Sequence, residues 1–404
     1  MAQSLSLMDE DMIDLAKVRR ETPGVDHRIH LNNAGAALMP LPVYEAVTAY
    51  LERELQIGGY ETSSEKAGEL NAVYDSVATL IGSRRDEIAI AENATVAWQR
   101  AFYSLDFKEG DRILTTQSEY AANYIAYLQI AKRFGAIIDV IPNDEQGALD
   151  PTALERMIDD KVRLIAITWI PTNGGLVNPA EEVGRIANAH GITYLLDACQ
   201  AVGQMPIDVT HLGCDILTAT GRKFLRGPRG TGFLYIKKEL LARTEPIMLD
   251  LFSAQVTAPH AYAIRPDARR FETWETNYST RAGLRAACDY ALDIGLPAIE
   301  ARCRHLTALA RDQLAEIHGV KLHDLGTHQS AIISFTISGH DAASIMKQLT
   351  EKAINVSVSN PSSTPLDAGE RHLPPMVRVS PHYYNTEEDI GALIAAVRTI
   401  AAAS

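Results

Sequence analysis

Short, continuously apolar runs alternate along the first two thirds of the chain with longer segments of helical periodicity. Seven of these runs predict strands, at residues 87–91, 113–116, 137–141, 164–168, 192–197, 215–219 and 232–236. Helix-length segments separate most of them, as at residues 121–134 and 179–190. Apolar strands that alternate with helices are typical of a parallel sheet covered on both faces. The pattern therefore predicts an α/β fold with a mostly parallel, seven-stranded sheet.

The pattern changes after about residue 270. A helical region, 279–317, is followed by a strand at 331–336, a helix from about 341, strands near 356 and 377, and a last helix from 386. Such a mixture predicts a smaller α+β domain, and 404 residues are too many for one ordinary core. We therefore divide the chain into an N-terminal segment that packs on the small domain (1–30), a large domain (31–270) and a small C-terminal domain (271–404).

Composition and charge narrow the classes of function. The formal net charge of −13 argues against a nucleic-acid partner, because nucleic-acid binders usually carry a basic face. No apolar stretch approaches the roughly 20 residues that span a membrane, and the N-terminus lacks a basic segment followed by an apolar run. The four cysteines form neither a CxxC pair nor a metal-ligand spacing. These features predict a cytoplasmic protein with reduced thiols, no membrane contact and no metal site.

Asp197 ends a very apolar predicted strand, in the sequence Tyr-Leu-Leu-Asp-Ala-Cys-Gln. Ligands of open α/β sheets bind beyond the carboxyl ends of the strands. A carboxylate at this place is either a helix-cap or turn residue or a buried counter-ion for a cationic ligand group. The apolar strand before it favours the counter-ion.

Lys223 follows the next predicted strand, in Thr-Gly-Arg-Lys-Phe. An isolated lysine is usually a solvated surface group, but Thr220 and Arg222 beside this one suit a phosphate by hydrogen bond and by bidentate charge. A lysine beside a phosphate site and a carboxylate counter-ion fits pyridoxal 5′-phosphate (PLP), which needs a Schiff-base lysine and a partner for its pyridinium. We therefore predict a PLP enzyme that acts on an amino acid, with Lys223 as the catalytic residue.

Four further motifs follow one another along the chain. They are Asn-Ala-Thr-Val from Asn93, Glu-Tyr-Ala-Ala-Asn from Glu119, Arg-Phe-Glu-Thr-Trp-Glu-Thr-Asn from Arg270 and Val-Arg-Val-Ser from Val377. With Asp197 and Lys223, they resemble the class V aminotransferase family of fold-type I PLP enzymes over about residues 28–400. That family includes cysteine desulfurases, kynureninase, isopenicillin N epimerase and the sulfoxide lyase of ergothioneine synthesis. The motifs are specific for the cofactor and the fold, and much less so for the reaction.

The resemblance implies a phosphate site in the large domain. Ala94 and Thr95 would contact the phosphate at a helix N-terminus, where free amides and the helix dipole favour an anion. Thr220 and Arg222 would complete the site within the chain.

The resemblance also implies contacts to the cofactor ring. Tyr120, where many relatives carry histidine, would lie over the pyridine ring. Asp197 would pair with the ring nitrogen and Gln200 would contact the phenolic oxygen. Thr172 and Asn173 lie where the desulfurases carry an asparagine near that oxygen, but the match is offset by one residue, so either is a candidate.

Two more segments are expected to complete the site. Residues 270–277 resemble the segment through which one subunit of a homodimer completes its partner's phosphate site, with Glu275 and Thr276 as the contacts. Arg378 resembles the strand arginine that binds the substrate carboxylate. Asn33 is a further substrate-pocket candidate. The resemblance thus implies a homodimer with shared active sites and a small amino-acid substrate.

One segment bears on the type of reaction. Cysteine desulfurases need a mobile cysteine ahead of the carboxylate-binding arginine, and residues 355–367 contain none. On this ground we expect that the protein is not a cysteine desulfurase. The first expectation is a C–S lyase that performs β-elimination on a cysteine S-conjugate or a related amino acid. The alternatives are a class V aminotransferase and an amino-acid epimerase or decarboxylating enzyme.

Overall fold

The computed structural model of the protein describes residues 13–403. The strands among these residues are β1 (Ile29–His30), β2 (Ile88–Ala91), β3 (Arg112–Thr116), β4 (Ile137–Ile141), β5 (Val162–Thr168), β6 (Thr193–Asp197), β7 (Ile216–Thr220), β8 (Gly232–Ile236), β9 (Ala254–Ala258), β10 (Ala261–Ile264), β11 (Val320–Leu322), β12 (Ile333–Ile337), β13 (Ile354–Asn355), β14 (Ser357–Ser359) and β15 (Met376–Val379).

The central sheet has seven strands in the order β2-β8-β7-β6-β5-β3-β4. The strand pairs β3–β4, β3–β5, β5–β6 and β6–β7 are parallel, whereas β8 runs antiparallel to both of its neighbours. The predicted α/β fold with a mostly parallel sheet is therefore confirmed, and the seven apolar runs are its seven strands.

Helices cover both faces of this sheet. The helices among the described residues are Leu15–Arg20, Leu41–Ile57, Gly59–Glu65, Ala67–Asn71, Val73–Ile81, Ala94–Phe102, Ala121–Phe134, Pro151–Met157, Ala180–His190, Val209–Leu212, Lys238–Leu241, Tyr278–Ile294, Leu296–Ala315, Ala342–Glu351, Pro365–Glu370 and Glu387–Ala401. Alternate residues of β5 enter two different cores, with Ile165 and Ile167 in one and Leu164 and Ala166 in the other. Burial on both faces explains why these strands are continuously apolar.

The region predicted as one long helical stretch, 279–317, contains two helices. Gly295 separates them with a φ of 91°, a backbone conformation that glycine adopts without steric cost. Pro297 lies in the first turn of the second helix, where its missing N–H breaks no helical hydrogen bond.

The C-terminal part carries a second, antiparallel sheet in the order β11-β12-β15-β14. The chain before the large sheet contacts it, because β1 pairs in parallel with β13 and the Arg19 guanidinium donates to the Tyr384 carbonyl at 3.0 Å. Residues 1–12 of the segment expected to pack on the small domain lie outside the described residues. The three-part division of the chain stays a prediction.

Candidate active site

A cavity of about 370 Å³ lies at the carboxyl ends of the parallel strands. Its lining residues lie at or beyond the carboxyl ends of β2, β3, β5, β6 and β7. They are Asn93, Ala94, Thr95, Val96, Tyr120, Thr168, Ile170, Thr172, Asp197, Cys199, Gln200, Thr220, Arg222 and Lys223. This is where open α/β sheets bind their ligands.

Asp197 is the last residue of β6, and its side chain is buried. One carboxylate oxygen accepts the backbone N–H of Cys199 at 2.9 Å, and the other accepts the Asn123 amide at 2.9 Å. These two bonds fix the orientation of a carboxylate on the cavity wall without neutralising its charge. A cationic ring nitrogen would supply the missing counter-charge.

Lys223 lies three residues beyond the end of β7, on the same wall. Burial lowers the pKa of its ammonium group, and the positive charges of Arg222 and Arg378 act in the same direction. A lowered pKa increases the fraction of neutral amine, which is the form that attacks an aldehyde. The Lys223 side chain has no hydrogen bond or ion pair with any of residues 13–403, so its amine is available for such a bond.

The start of the helix Ala94–Phe102 faces the cavity. The Asn93 side chain caps this helix by accepting the N–H of Val96 at 2.9 Å, and the N–H groups of Ala94 and Thr95 donate to no described residue. A Cβ on Gly232 would come within 2.7 Å of the Asn93 carbonyl carbon, so a glycine is required where β8 passes this turn. Free amides at a helix N-terminus are suited to a phosphate.

Thr220 and Arg222 approach the same end of the cavity from β7. The Thr220 hydroxyl donates to the Thr231 carbonyl at 3.1 Å, and the Arg222 guanidinium donates to the Gly35 carbonyl. Burial lowers the pKa of Arg222, which has no carboxylate partner among residues 13–403. Two free amides, a half-buried guanidinium, a free amine and a carboxylate are the set of groups that PLP requires.

The residues that are expected to contact the cofactor ring differ in their placement. Tyr120 and Gln200 line the cavity, and the Gln200 amide donates to the Ala34 carbonyl at 3.2 Å. Thr172 also lines it, whereas the Asn173 side chain points away and donates to the Thr364 hydroxyl at 2.9 Å. Of the two residues offset in the motif, Thr172 is therefore the one at the cavity.

Arg378 is buried on β15, next to the cavity wall. Its Nη1 donates to the Thr172 hydroxyl at 2.6 Å and carbonyl at 3.2 Å, and its Nε donates to the Ser357 hydroxyl at 3.2 Å. Burial and the charge of Arg222 lower its pKa to about 10, and its Nη2 has no described partner. A buried guanidinium without a carboxylate is suited to a substrate carboxylate.

Besides Asn173, three candidates do not line the cavity of this chain. Asn33 is fully buried, and its amide donates to the Ser380 carbonyl at 2.7 Å while its carbonyl accepts from the Tyr384 hydroxyl. Glu275 and Thr276 border a separate cleft together with Leu51 and Tyr60.

Sequence reasoning assigned no role to Glu119 or Asn123, although it quoted their motif. Glu119 is fully buried behind the cavity, and the Asn123 amide donates both to Glu119 at 2.9 Å and to Asp197 at 2.9 Å. The available signal was a charged residue and an amide four positions apart, at the start of a helix that follows an apolar strand.

Two kinds of feature are absent from residues 13–403, a membrane-spanning helix and a cluster of metal-ligating side chains. None of their helices is both long and apolar enough to cross a membrane. Over the same residues, no three or more His, Cys, Asp or Glu side chains are grouped so that they could hold a metal ion.

Comparison with known proteins places this site in a family. The model of the family described as Aminotransferase class-V matches residues 29–393. A protein of Methanothermobacter thermautotrophicus named "Probable cysteine desulfurase" is 30% identical over 384 residues, which are 93% of this chain and 95% of the relative. The apo structure of cysteine desulfurase from Thermococcus onnurineus NA1 has a TM-score of 0.91 at 25% identity and covers 97% of this chain and 99% of its own.

A third relative shares the fold. A mutant of C-DES with glycine covalently linked to its PLP cofactor has a TM-score of 0.84 at 23% identity, over 94% of this chain and 98% of its own. The fold and the groups around the cavity define a fold-type I PLP-dependent enzyme. The chain belongs to the aminotransferase class-V family, and its cofactor is pyridoxal 5′-phosphate.

The expectation about the reaction is wrong. It excluded a cysteine desulfurase and placed C–S lyase β-elimination first, but relatives that align with nearly the whole chain are named cysteine desulfurases. The error came from treating one segment, 355–367, as the only possible source of a sulfur acceptor. The chemistry at Cα does not depend on where that thiol lies.

Proposed function

We propose that the protein is a PLP-dependent cysteine desulfurase that converts L-cysteine to L-alanine and passes the sulfur to a thiol. The observation that carries this proposal is the 30% identity to a probable cysteine desulfurase over 93% of the chain. The chemistry of the cavity supports it, because an amine, a carboxylate and a buried arginine lie together at the strand ends.

Bound PLP supplies an electron sink for the bonds at Cα. In this proposal Arg378 binds the substrate carboxylate and so orients the substrate in the cavity. Lys223 would hold the cofactor, and its amine would remove the proton from Cα and later return it. Asp197 keeps the ring nitrogen protonated. Arg222, Thr220 and the amides of the helix start hold the phosphate.

We further propose that the sulfur acceptor is a thiol from solution. Cys199 is the cysteine at the cavity, whereas Cys214, Cys288 and Cys303 are buried elsewhere. Burial and Asp197 raise the pKa of Cys199, which makes its reactive thiolate scarce at neutral pH. The balanced reaction is L-cysteine plus a thiol giving L-alanine plus the persulfide of that thiol. The C–S bond breaks, an S–S bond forms, and the proton of the thiol completes the new C–H bond of alanine.

We also propose a cytoplasmic homodimer in which residues 270–277 complete the partner's phosphate site. Large apolar side chains are exposed, including Leu55 (88%), Leu251 (82%) and, within that segment, Trp274 (54%). A second copy of the chain would cover them. The four cysteines are all unpaired, which agrees with a reducing compartment.

Product analysis tests the reaction. The holoenzyme is incubated with L-cysteine and increasing dithiothreitol, and alanine, sulfide, pyruvate and ammonia are measured. We expect alanine and sulfide in equal amounts, at a rate that rises with the thiol. Lys223→Ala removes the activity, and the matched variant Lys237→Ala, at a surface lysine paired with Asp215, retains it.

Two results would contradict the proposal. Pyruvate and ammonia in place of alanine would mean elimination and overturn desulfuration. A persulfide on any of the four cysteines during turnover, detected by mass spectrometry, would overturn the soluble acceptor.

A further inference from the structure

Glu119 is a fully buried carboxyl group that has no cationic partner among residues 13–403. Its Oε1 accepts from the backbone N–H of Tyr120 at 2.8 Å, the Asn123 amide at 2.9 Å and the Thr168 hydroxyl at 2.5 Å. Its Oε2 accepts from the hydroxyls of Thr115 at 2.8 Å and Tyr127 at 3.3 Å. These five neutral donors come from β3, from β5 and from the helix Ala121–Phe134 with its N-cap residue, Tyr120. A buried carboxyl group is costly unless its oxygens are hydrogen-bonded in this way.

Asn123 joins this group to the active site. The two hydrogens of one amide nitrogen serve two carboxylates, Glu119 at 2.9 Å and Asp197 at 2.9 Å. The amide therefore cannot rotate without breaking both bonds, and it holds the two carboxyl groups at a fixed separation. No step of the proposed reaction uses Glu119 or Asn123.

We propose that Glu119 is a positioning residue that acts through Asn123 on Asp197, and that its charge sets the proton affinity of the bound cofactor. The inference rests on the proposed pairing of Asp197 with the ring nitrogen. A negative Glu119 adds a second charge behind Asp197 and so favours the protonated cofactor. A neutral Glu119 leaves Asp197 as the single negative group.

The electrostatic surroundings of Glu119 allow both states near neutral pH. Burial raises its pKa to about 7, the bonds from Thr168, Asn123 and Thr115 oppose this rise, and the charge of Asp197 adds to it. Tyr127 and Tyr120 are the other titratable groups that face it, and burial raises the pKa of both, so they stay neutral. The groups that face it from β3 and β5, Thr115 and Thr168, carry no charge.

Glu119→Gln is the principal test, because glutamine preserves the shape of the side chain. Its carbonyl oxygen can accept from Tyr120, Asn123 and Thr168, and its amide can donate to the hydroxyl oxygens of Thr115 and Tyr127, whose hydrogens rotate freely. The measurement is the pH midpoint of the visible absorbance of the bound cofactor, without substrate. We expect the midpoint to fall by about one pH unit, since a nearby negative charge has been removed.

Thr115→Val provides an independent test if the glutamine variant folds poorly. It is nearly isosteric, keeps Glu119 and Asn123, and removes one donor from Oε2, which raises the pKa of Glu119 further. The midpoint should then fall in the same direction by a smaller amount. Glu87→Gln is the matched control, because Glu87 is also buried and bonded to backbone N–H groups, but at the opposite end of the sheet.

A purely structural Glu119 would lower the thermal unfolding midpoint of its variants and leave the pH midpoint at the value of Glu87→Gln. That result in both Glu119→Gln and Thr115→Val would overturn the inference. Because no substrate is present, a shift supports the inference even if the desulfurase assay yields no alanine.

Discussion

Positive charge exceeds negative charge among the residues at the cavity. Lys223, Arg222 and Arg378 lie near one carboxylate, Asp197. Burial lowers the pKa of all three cations, and the charge of Arg222 lowers the pKa of Lys223 and Arg378 further. Such an arrangement is unfavourable until anions enter it. A cofactor phosphate and a substrate carboxylate would supply two anions. The residues at this site are therefore suited to bind a phosphate and a carboxylate together.

Arg378→Lys tests the contact to the substrate carboxylate. Lysine keeps the charge but cannot form the two parallel hydrogen bonds of a guanidinium. Loss of one charge-assisted bond, about 1.5–3 kcal/mol, should raise KM for L-cysteine roughly ten- to a hundredfold. The absorbance of the bound cofactor should be unchanged. Steady-state kinetics measure this effect, and Arg302→Lys, at an arginine paired with Glu387, is the control. An unchanged KM in Arg378→Lys would remove Arg378 from the substrate site.

The sequence allowed some of these residues to be placed and not others. Asp197 and Lys223 could be placed because each follows an apolar strand, and the ends of adjacent parallel strands meet. Glu119 could not, because its environment depends on Thr168, which comes from β5 and lies 49 residues further along the chain. Asn33 was predicted to line the substrate pocket, but its side chain is instead hydrogen-bonded to Ser380 and Tyr384.

At the scale of elements, the last helix, Glu387–Ala401, shares a hydrophobic core with the small sheet. Thr386 begins it with a capping box, in which its hydroxyl accepts the Asp389 N–H at 3.2 Å and Asp389 accepts the Thr386 N–H at 3.1 Å. Asp389 also lies 3.5 Å from the Arg19 guanidinium. One helix start therefore joins the N-terminal part of the chain to the small sheet.

Thr386→Ala should lower the free energy of unfolding by about 1 kcal/mol, because a backbone N–H of the first turn loses its acceptor. Urea denaturation of the holoenzyme measures the change. Thr399→Ala, on the exposed side of the same helix, should change it by less than about 0.5 kcal/mol. Equal effects of the two substitutions would show that the cap does not stabilise the helix.

Elements were predicted well where periodicity is strong and poorly where one residue changes the backbone. The start of the last helix was predicted at residue 386, and Thr386 is its N-cap. The division of the helical region 279–317 was not, because a helix breaks or continues at Gly295 according to how its two halves pack. Helical periodicity alone does not contain that information.

For the whole molecule, the exposed apolar side chains and the placement of Glu275 and Thr276 away from the cavity have one common explanation. If a second copy packs on this face, the apolar side chains are covered and each segment 270–277 reaches the other subunit's cavity. A two-fold interface satisfies both conditions at once.

The proposed homodimer gives a quantitative expectation. Light scattering should give a mass of about twice the chain mass of 44.2 kDa. Leu55→Glu places a charge on the exposed apolar face and should shift the protein towards monomer with loss of activity, whereas Thr399→Glu should leave the mass unchanged. A fully active monomer at nanomolar concentration would rule out shared active sites.

The claim on which the account depends is that the cavity at the strand ends holds PLP on Lys223. Borohydride reduction of the holoenzyme followed by peptide mapping tests it most directly, because reduction makes the bond between lysine and cofactor permanent. We predict that the label lies on Lys223 and is absent from Lys223→Ala. A label on any other lysine would contradict the assignment of this site.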